Sequence, residues 1–194
     1  MLREKNKGIS LSIEKKIKKK SSEMDHTQIR KKQNMESLEA RARKGECAAK
    51  NVLFFKLFFG VGSKRNQKAG KKWCLQSARQ GSLLAGGMLY FCGWQEKNDE
   101  EKAFSLFDKF CVSERGEDYS YGLNMVGYCY DIGKGVTQNY LKAYQFYLKA
   151  AELGNDLAIN NLGSNFSQIS RFFSPHSFFP QHFCTRKEEE WTRT

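Results

Sequence analysis

The segment from Tyr121 to Gly163 restricts the possible folds of this 194-residue chain more than any other part of it. Small and apolar residues recur at helical spacing over residues 122–130 and again over residues 140–151, which predicts two amphipathic helices. Glycines stand where each pattern stops: Gly133, Gly135 and Gly154. Glycine readily adopts the left-handed conformation that ends helices, and a third helical pattern begins at Leu157. The segment is therefore predicted to form a helical hairpin followed by the start of another helix.

The residues of this segment resemble the consensus of the Sel-one-like repeat (SLR), a relative of the tetratricopeptide repeat. The matching positions are Gly133, Gly135, Val136, Lys142, Ala143, Phe146, Tyr147, Ala150, Ala151, Gly154, Ala158, Leu162 and Gly163. The resemblance implies a right-handed α-solenoid, built of stacked helical hairpins, whose usual work is binding other proteins. It implies no catalytic chemistry.

The same pattern recurs earlier in the chain, as in other repeat proteins. A shift of 73 residues superposes Gly60 on Gly133, and a shift of 40 residues superposes Gly93 on Gly133. The middle copy lacks the second glycine of its turn, so the geometry of that turn is left open. The shift falls to 36 residues after Cys111, which predicts a four-residue insertion within residues 112–120.

A partial repeat precedes these copies. Its residues Ala42, Gly45, Ala49 and Leu53 have the spacing of Ala151, Gly154, Ala158 and Leu162. We therefore predict an all-α fold, an α/α solenoid of three to four Sel-one-like (tetratricopeptide-like) hairpins over residues 35–166, each hairpin touching only its neighbours. In the last full hairpin, Tyr147 is expected to pack among alanines, which let two helices approach closely: Ala143, Ala150 and Ala151.

The composition is compatible with one folded domain, because apolar residues make up 40% of the chain. The only two prolines, Pro175 and Pro180, leave residues 1–174 free to be helical. The apolar run from Val52 to Val61 contains Lys56 and is too short for a bilayer, which needs about 20 residues, so it is predicted to be a buried repeat helix. No apolar stretch typical of a secretory signal occurs in the first 20 residues, and we expect a cytoplasmic protein, with nuclear import as the alternative.

Cysteine and histidine spacing gives no indication of a metal site. The six cysteines include no C-x-x-C pair, and the three histidines lie outside the repeats: His26, His176 and His182. The cysteines are Cys47, Cys74, Cys92, Cys111, Cys129 and Cys184. We predict that the first five are small buried residues in a reducing compartment, and we predict no cofactor.

Residues 1–34 are predicted to form a disordered basic arm, because 11 Lys and Arg residues face only 4 acidic ones and few apolar residues are present. Its basic clusters consist of Lys15, Lys16, Lys18, Lys19, Lys20, Arg30, Lys31 and Lys32. Such clusters are typical of nuclear-import signals and of arms that bind nucleic acid or anionic lipid. A solvated tail without a partner is the alternative interpretation.

Charge is distributed unevenly along the rest of the chain. Residues 35–81 carry a net charge of +8, whereas residues 82–165 carry −4, which could steer a partner of mixed charge or reflect drift on exposed faces. Residues 167–194 contain five phenylalanines and both prolines but no repeat pattern. We expect them to form an irregular tail, either a strap across the last hairpin or a sequence unrelated to the repeats.

The register of the repeats predicts a binding surface on the first helix of each hairpin. Positions equivalent to Asn124 or Tyr128 are expected to face a groove: Asn51, Phe55, Leu84, Met88, Asn124, Tyr128 and Asn160. Asparagine amides both donate and accept hydrogen bonds, so they could pair with the backbone of an extended peptide. The alternative is that the asparagines bridge neighbouring repeats and touch no partner.

These features favour a non-enzymatic adaptor that binds a protein or peptide. Neither a nucleophile elbow nor a phosphate-binding glycine loop is present, and no histidine lies within the repeats. The alternative function is an accessory factor tethered to nucleic acid or anionic membrane through residues 1–34.

Overall fold

The computed structural model describes residues 32–94 and 99–172, and every regular element in those two ranges is an α-helix. Helix α1 covers residues 32–43. The other helices are α2 (Cys47–Phe59), α3 (Gln67–Arg79), α4 (Leu83–Phe91), α5 (Glu100–Ser113), α6 (Tyr119–Ile132), α7 (Tyr140–Glu152) and α8 (Asp156–Phe172). The prediction of an all-α fold is confirmed.

The helices pack as hairpins in chain order. Helix α2 packs on α3, α4 on α5 and α6 on α7, and these hairpins adjoin through the contacts of α3 with α4 and of α5 with α6. Helix α8 packs on both α6 and α7. The described chain therefore contains three full hairpins, with α1 before them and α8 after them, as the predicted solenoid of three to four hairpins requires.

Side chains and glycines at the helix ends explain where the helices begin and stop. Five helices follow a residue whose side-chain oxygen accepts a hydrogen bond from the backbone N–H three residues later: Asn66, Ser82, Asp99, Asn139 and Asn155. Helices α2 and α6 end at Gly60 and Gly133, both left-handed with φ of 79° and 70°. Gly93 after α4 also has a positive φ, so this part of the turn survives in the middle copy.

Glycines on α4 and α6 let an aromatic ring of the following helix lie directly on the backbone. A Cβ atom at Gly87 would lie 2.5 Å from the Phe107 ring, and one at Gly127 would lie 2.9 Å from the Tyr147 ring. Both rings are fully buried, as are Ala143 and Ala150, which confirms the predicted packing around Tyr147. Ala151 is only half-buried.

In the first hairpin the large and small side chains are exchanged between the two helices. The shift of 73 residues places Phe54 of α2 at the position of Gly127 and Cys74 of α3 at the position of Tyr147. Both Phe54 and Cys74 are buried. The total volume between the helices is thus kept similar, which is the property that interior packing demands. The run from Val52 to Val61, predicted to be a buried helix, is buried only from Val52 to Phe55. Residues 56–58 are half-buried, Phe59 is 40% exposed, and the helix ends there.

The prediction that each hairpin touches only its neighbours is wrong for the first half of the chain. The Phe55 ring of α2 stacks on the Tyr121 ring of α6, with centroids 4.7 Å apart. The Asn51 amide donates to the Asp118 carboxylate at 2.7 Å. The reason is that α4 has only nine residues, against 13 in α2 and 14 in α6, so it does not separate the two longer helices along their full length.

One predicted boundary differs from the helices, and one predicted insertion agrees with them. Helix α8 continues to Phe172, six residues past the predicted end of the repeats at 166, because no glycine or proline occurs between Gly163 and Pro175. The connection between α5 and α6 has five residues, 114–118, against three in 80–82 and in 153–155, which agrees with an insertion there.

The rest of the predicted tail, residues 173–194, lies outside the described residues. The predicted basic arm also lies outside them up to residue 31, including Lys15, Lys16, Lys18, Lys19, Lys20, Arg30 and Lys31. Lys32 is the first described residue and lies in α1, with its ammonium 4.0 Å from the Glu36 carboxylate. The prediction of disorder is therefore wrong for residues 32–34, which are helical. None of the helices within residues 32–94 and 99–172 combines the length and apolarity needed to cross a bilayer.

Candidate protein-interaction surface

The structure places most of the predicted binding residues in the interior. Phe55, Leu84 and Met88 are core residues, and the side chains of Asn51 and Asn124 are also buried. They do not line a free surface, because the first helices of the hairpins pack on their neighbours with these faces. Tyr128 is half-buried and Asn160 is exposed. Direct contact with a partner stays a prediction, and of the seven residues only Tyr128 and Asn160 are accessible enough to make it.

Asn51 is the centre of a buried hydrogen-bond network. Its amide nitrogen donates to Ser82 Oγ at 2.9 Å and to Asp118 Oδ2 at 2.7 Å. Its amide oxygen accepts from Ser77 Oγ at 2.6 Å. The network joins α2 to α3 and to the N-terminal ends of α4 and α6, so the Asn51 amide is occupied inside the fold. This is the bridging role that the sequence left open as the alternative.

A second set of asparagines joins α6 to α8. The amide nitrogen of Asn155 donates to Ser120 at 3.2 Å, that of Asn161 donates to Asn124 at 3.0 Å, and that of Asn165 donates to Asp131 at 2.8 Å. The bond to Asn124 therefore comes from Asn161 and not from Asn160. The sequence has asparagine at both 160 and 161. The rotation of α8 relative to α6 places Asn161, and not Asn160, beside Asn124.

Sequence reasoning missed a group of partly exposed side chains around Tyr128. The Phe91 ring of α4 lies 5.8 Å from the Tyr128 ring of α6. The Lys134 ammonium lies 4.1 Å from the centre of the Phe91 ring and donates to the Phe91 carbonyl at 3.0 Å. Its partner carboxylate is Glu100, at 3.5 Å. We call Phe91, Tyr128 and Lys134 the Tyr128 patch.

The connection between α5 and α6 is tied to the start of the chain. The Arg41 guanidinium donates to both carboxylate oxygens of Glu117, at 2.9 and 3.0 Å. It also donates to Glu46, with its Nε 2.7 Å from Oε2, and these hydrogen bonds lower the pKa of Glu46. Asp118 follows Glu117 in the chain. Burial raises the pKa of its carboxyl group, and the hydrogen bond from Asn51 lowers it by less.

Three of the five described cysteines, Cys74, Cys111 and Cys129, are buried as predicted, whereas Cys47 and Cys92 are only half-buried. Burial raises the pKa of the Cys74, Cys111 and Cys129 thiols to about 12, and that of Cys92 to about 11. These thiols are free, like that of the half-buried Cys47. Within residues 32–94 and 99–172, no group of three or more His, Cys, Asp or Glu side chains is placed to hold a metal ion.

The outer side of α3 carries only positive charge. Residues 47–95 contain eight Lys and Arg residues and no Asp or Glu. Lys68, Lys72 and Arg79 are exposed along α3, and Lys64 and Arg65 are exposed in the preceding turn. No large apolar side chain is exposed on this helix. We call these five cations the α3 basic face.

The repeat structure agrees with comparisons to known proteins. The family model described as Sel1 repeat matches three segments, residues 57–82, 83–111 and 120–155. The second and third segments correspond to the hairpins α4–α5 and α6–α7, whereas the first covers the end of α2 and all of α3. The gap at residues 112–119 contains the long connection between α5 and α6. No curated protein matches the chain at a significant level.

Several solved structures are similar to parts of the chain. A Sel1 repeat protein from Oxalobacter formigenes is 26% identical, over 68% of this chain and 98% of that one, with a TM-score of 0.39. Helicobacter pylori cysteine rich protein B is 24% identical, over 66% and 96% of the two chains, with a TM-score of 0.40. A protective antigen of uropathogenic Escherichia coli strains displaying an SLR fold is 23% identical, over 69% of this chain and 28% of that one, with a TM-score of 0.41.

Two independent observations establish the family: three matches to the repeat model and three helical hairpins at the same places in the fold. Sel1 repeats generally mediate protein–protein interactions and typically form scaffolds without enzymatic activity. The chain therefore belongs to the family of Sel1-repeat proteins.

Proposed function

We propose that this Sel1-repeat protein is an adaptor that binds a peptide segment of a partner protein at the Tyr128 patch. The observation that carries the proposal is the pair of half-buried rings, Phe91 and Tyr128, with a cation beside them on adjacent first helices. Aromatic residues with one face packed and the other accessible are typical of the residues that dominate binding energy at protein interfaces.

The geometry also indicates which peptide would fit. The Phe91 and Tyr128 rings offer an apolar contact to one aliphatic or aromatic side chain. Among the described residues, the Lys134 ammonium is paired only with the Glu100 carboxylate, at 3.5 Å, and Glu100 is about half exposed. A carboxylate of the partner could share Lys134 at modest cost, since exposed pairs are worth little. We therefore expect a ligand with an apolar residue next to an acidic one, and Asn160 is a further candidate contact on α8.

Affinity measurements on variants test this proposal. Peptides selected on the full chain from a random display library would be titrated against Tyr128→Ala and Lys134→Ala. We expect each variant to lose about tenfold in affinity or more, as for interface residues that carry much of the binding energy. The matched control is Tyr144→Ala, which removes a half-buried tyrosine from α7. Equal losses in the Tyr128 and Tyr144 variants would contradict the proposal.

The α3 basic face favours a second candidate function, contact with the phosphate backbone of duplex nucleic acid. Lys68 and Lys72 lie four residues apart on α3, about 6 Å along the helix axis, and Lys64 lies in the turn before the helix. Residues 47–95 contain no carboxylate to neutralise them. Because α3 exposes no large apolar side chain, it has nothing to insert into a membrane. Cations without exposed aromatic rings fit backbone contacts that do not depend on base sequence.

Salt dependence distinguishes this second function from random charge. The full chain would be titrated with duplex DNA at several salt concentrations, in parallel with Lys68→Gln combined with Lys72→Gln. If both lysines contact phosphates, we expect the slope of log affinity against log salt to fall by about 0.9 for each lysine lost. The control is Lys109→Gln, an exposed lysine on α5. Equal slopes for all variants, or binding only to anionic vesicles, would contradict the proposal.

A further inference from the structure

We propose that α8 carries an open notch at Gly163 that accepts one aromatic ring, and that Phe183 of the chain's own C-terminal segment, residues 173–194, occupies it. The proposal is independent of the partner site at Tyr128. It starts from the way in which the two preceding hairpins are closed.

In each of those hairpins, a glycine of the first helix receives a ring of the second. Gly87 on α4 receives Phe107, and Gly127 on α6 receives Tyr147. The ring follows the glycine by 20 residues in both cases. The glycine is required because a Cβ atom would lie within 3.0 Å of the ring. Glycine followed by a ring 20 residues later is therefore the closing contact of these hairpins.

Helix α8 has the same surface without the ring. The shift of 36 residues places Gly163 at the position of Gly127 and Phe166 at the position of Tyr130. No atom of the described residues lies within 4 Å of a Cβ atom built at Gly163. In α6 the equivalent Tyr130 ring stacks on Phe146 of α7 at 5.8 Å, whereas Phe166 is 61% exposed. Ile159, four residues before Gly163 on the same side of α8, is 52% exposed.

Within residues 32–94 and 99–172, no second helix covers the apolar stripe of Ile159, Gly163 and Phe166 in the way that α7 covers the corresponding stripe of α6. The chain continues beyond α8 with residues rich in phenylalanine, and residue 183, which is 20 residues after Gly163, is Phe183. Gly163 lies nine residues before the end of α8, about 14 Å along its axis. The ten residues from 173 to 182 can span up to about 33 Å, so Phe183 can reach the notch.

Proteolysis of the full chain tests the occupant. Trypsin cleaves after Arg186 and Lys187, next to Phe183, and a docked ring would protect these bonds. We expect Phe183→Ala to accelerate this cleavage about tenfold, in proportion to the buried ring that is lost. Phe178→Ala is the matched control, because it removes a ring of the same segment that lies outside the spacing of 20 residues, and it should change the rate less than twofold.

Filling the notch gives an independent readout. Gly163→Leu should accelerate the same cleavage as much as Phe183→Ala does, and it should leave α8 helical, because nothing lies close to a side chain at 163. Unchanged cleavage in both variants would overturn the proposal. The alternative occupant of the notch is a second copy of the chain, and sedimentation at several concentrations tests for it. A dimer that Gly163→Leu dissociates and Phe183→Ala leaves intact would overturn the proposal in favour of that second copy.

Discussion

Gly86 and Gly87 are consecutive residues of α4 with opposite roles. A glycine inside a helix costs about 1 kcal/mol relative to alanine, so both should weaken α4. A Cβ atom at Gly86 would meet only the Leu106 side chain at 3.8 Å, an ordinary contact. A Cβ atom at Gly87 would meet the Phe107 ring at 2.5 Å, and that ring is fully buried. Only the second glycine is required by packing.

This difference gives a prediction at the level of single residues. Gly87→Ala should lower the free energy of unfolding by about 1–3 kcal/mol, because the buried ring has no room to move. Gly86→Ala should raise it by about 0.5–1 kcal/mol, because alanine favours the helix and nothing clashes. Urea denaturation of both variants checks the two signs. A stabilised Gly87→Ala variant would show that the Phe107 ring adapts and that its contact with α4 does not require glycine.

The packing of Tyr147 in the last hairpin could be predicted well from the sequence, whereas the burial and partners of the asparagines were predicted poorly. Tyr147 was placed correctly because helical periodicity alone decides which face of α7 is buried. The environment of Asn51 could not be predicted, because its partner Asp118 is 67 residues away. That contact depends on the length of α4 and on the path of residues 114–118, which no periodic pattern encodes. Burial of Asn51 follows from tertiary structure alone.

The connection 114–118 is the element that departs most from the repeat. Glu117 lies against Arg41, and Asp118, which precedes α6, lies against Asn51. Burial raises the pKa of Asp118, and the nearby Glu114 and Glu117 raise it further. Since the pKa in the folded protein lies above that of the unfolded chain, the contribution of this carboxyl group to stability is complete below the unfolded value. It is lost as the pH rises through the folded value.

Replacement of Asp118 by asparagine tests this pH dependence. Asp118→Asn keeps an oxygen that accepts from Asn51 and removes the charge, so we expect a higher melting temperature than the parent at pH 7. The difference should disappear below pH about 4, where aspartate itself becomes protonated. The control is Glu117→Gln, which changes an exposed pair and should alter stability by less than about 1 kcal/mol. A parent that is more stable than Asp118→Asn at pH 7 would show that the charge helps to hold α6.

The limits of the helices could be predicted where glycine or a capping side chain marks them. Gly60 and Gly133 end their helices as expected, and Asn139 begins α7. The extent of α8 was underestimated, because the repeat pattern stops at residue 166 whereas the helix continues at least to Phe172. A repeat boundary is a property of the pattern, and a helix boundary is a property of backbone chemistry. The two coincide only where a helix breaker stands at the boundary.

At the scale of the whole molecule, the arrangement of the hairpins was predictable and the surface was not. Three hairpins at the expected places follow from the spacing of glycines and alanines, part of which recurs in every copy. Binding surfaces depend instead on side chains that differ between copies. The Tyr128 patch joins residues of two helices through Lys134, which lies in a turn. Such a group becomes visible only when the hairpins are stacked.

The contact between α2 and α6 also determines how the array comes apart. In an array whose units touch only their neighbours, a terminal unit can detach while the rest stays folded. Here, release of α2 would take the amide donor away from the buried Asp118 and uncover the Tyr121 ring in the third hairpin. That contact joins the first hairpin to the third across the middle hairpin of α4 and α5. We therefore expect unfolding from the N-terminal end to be concerted across the three hairpins and not to proceed one unit at a time.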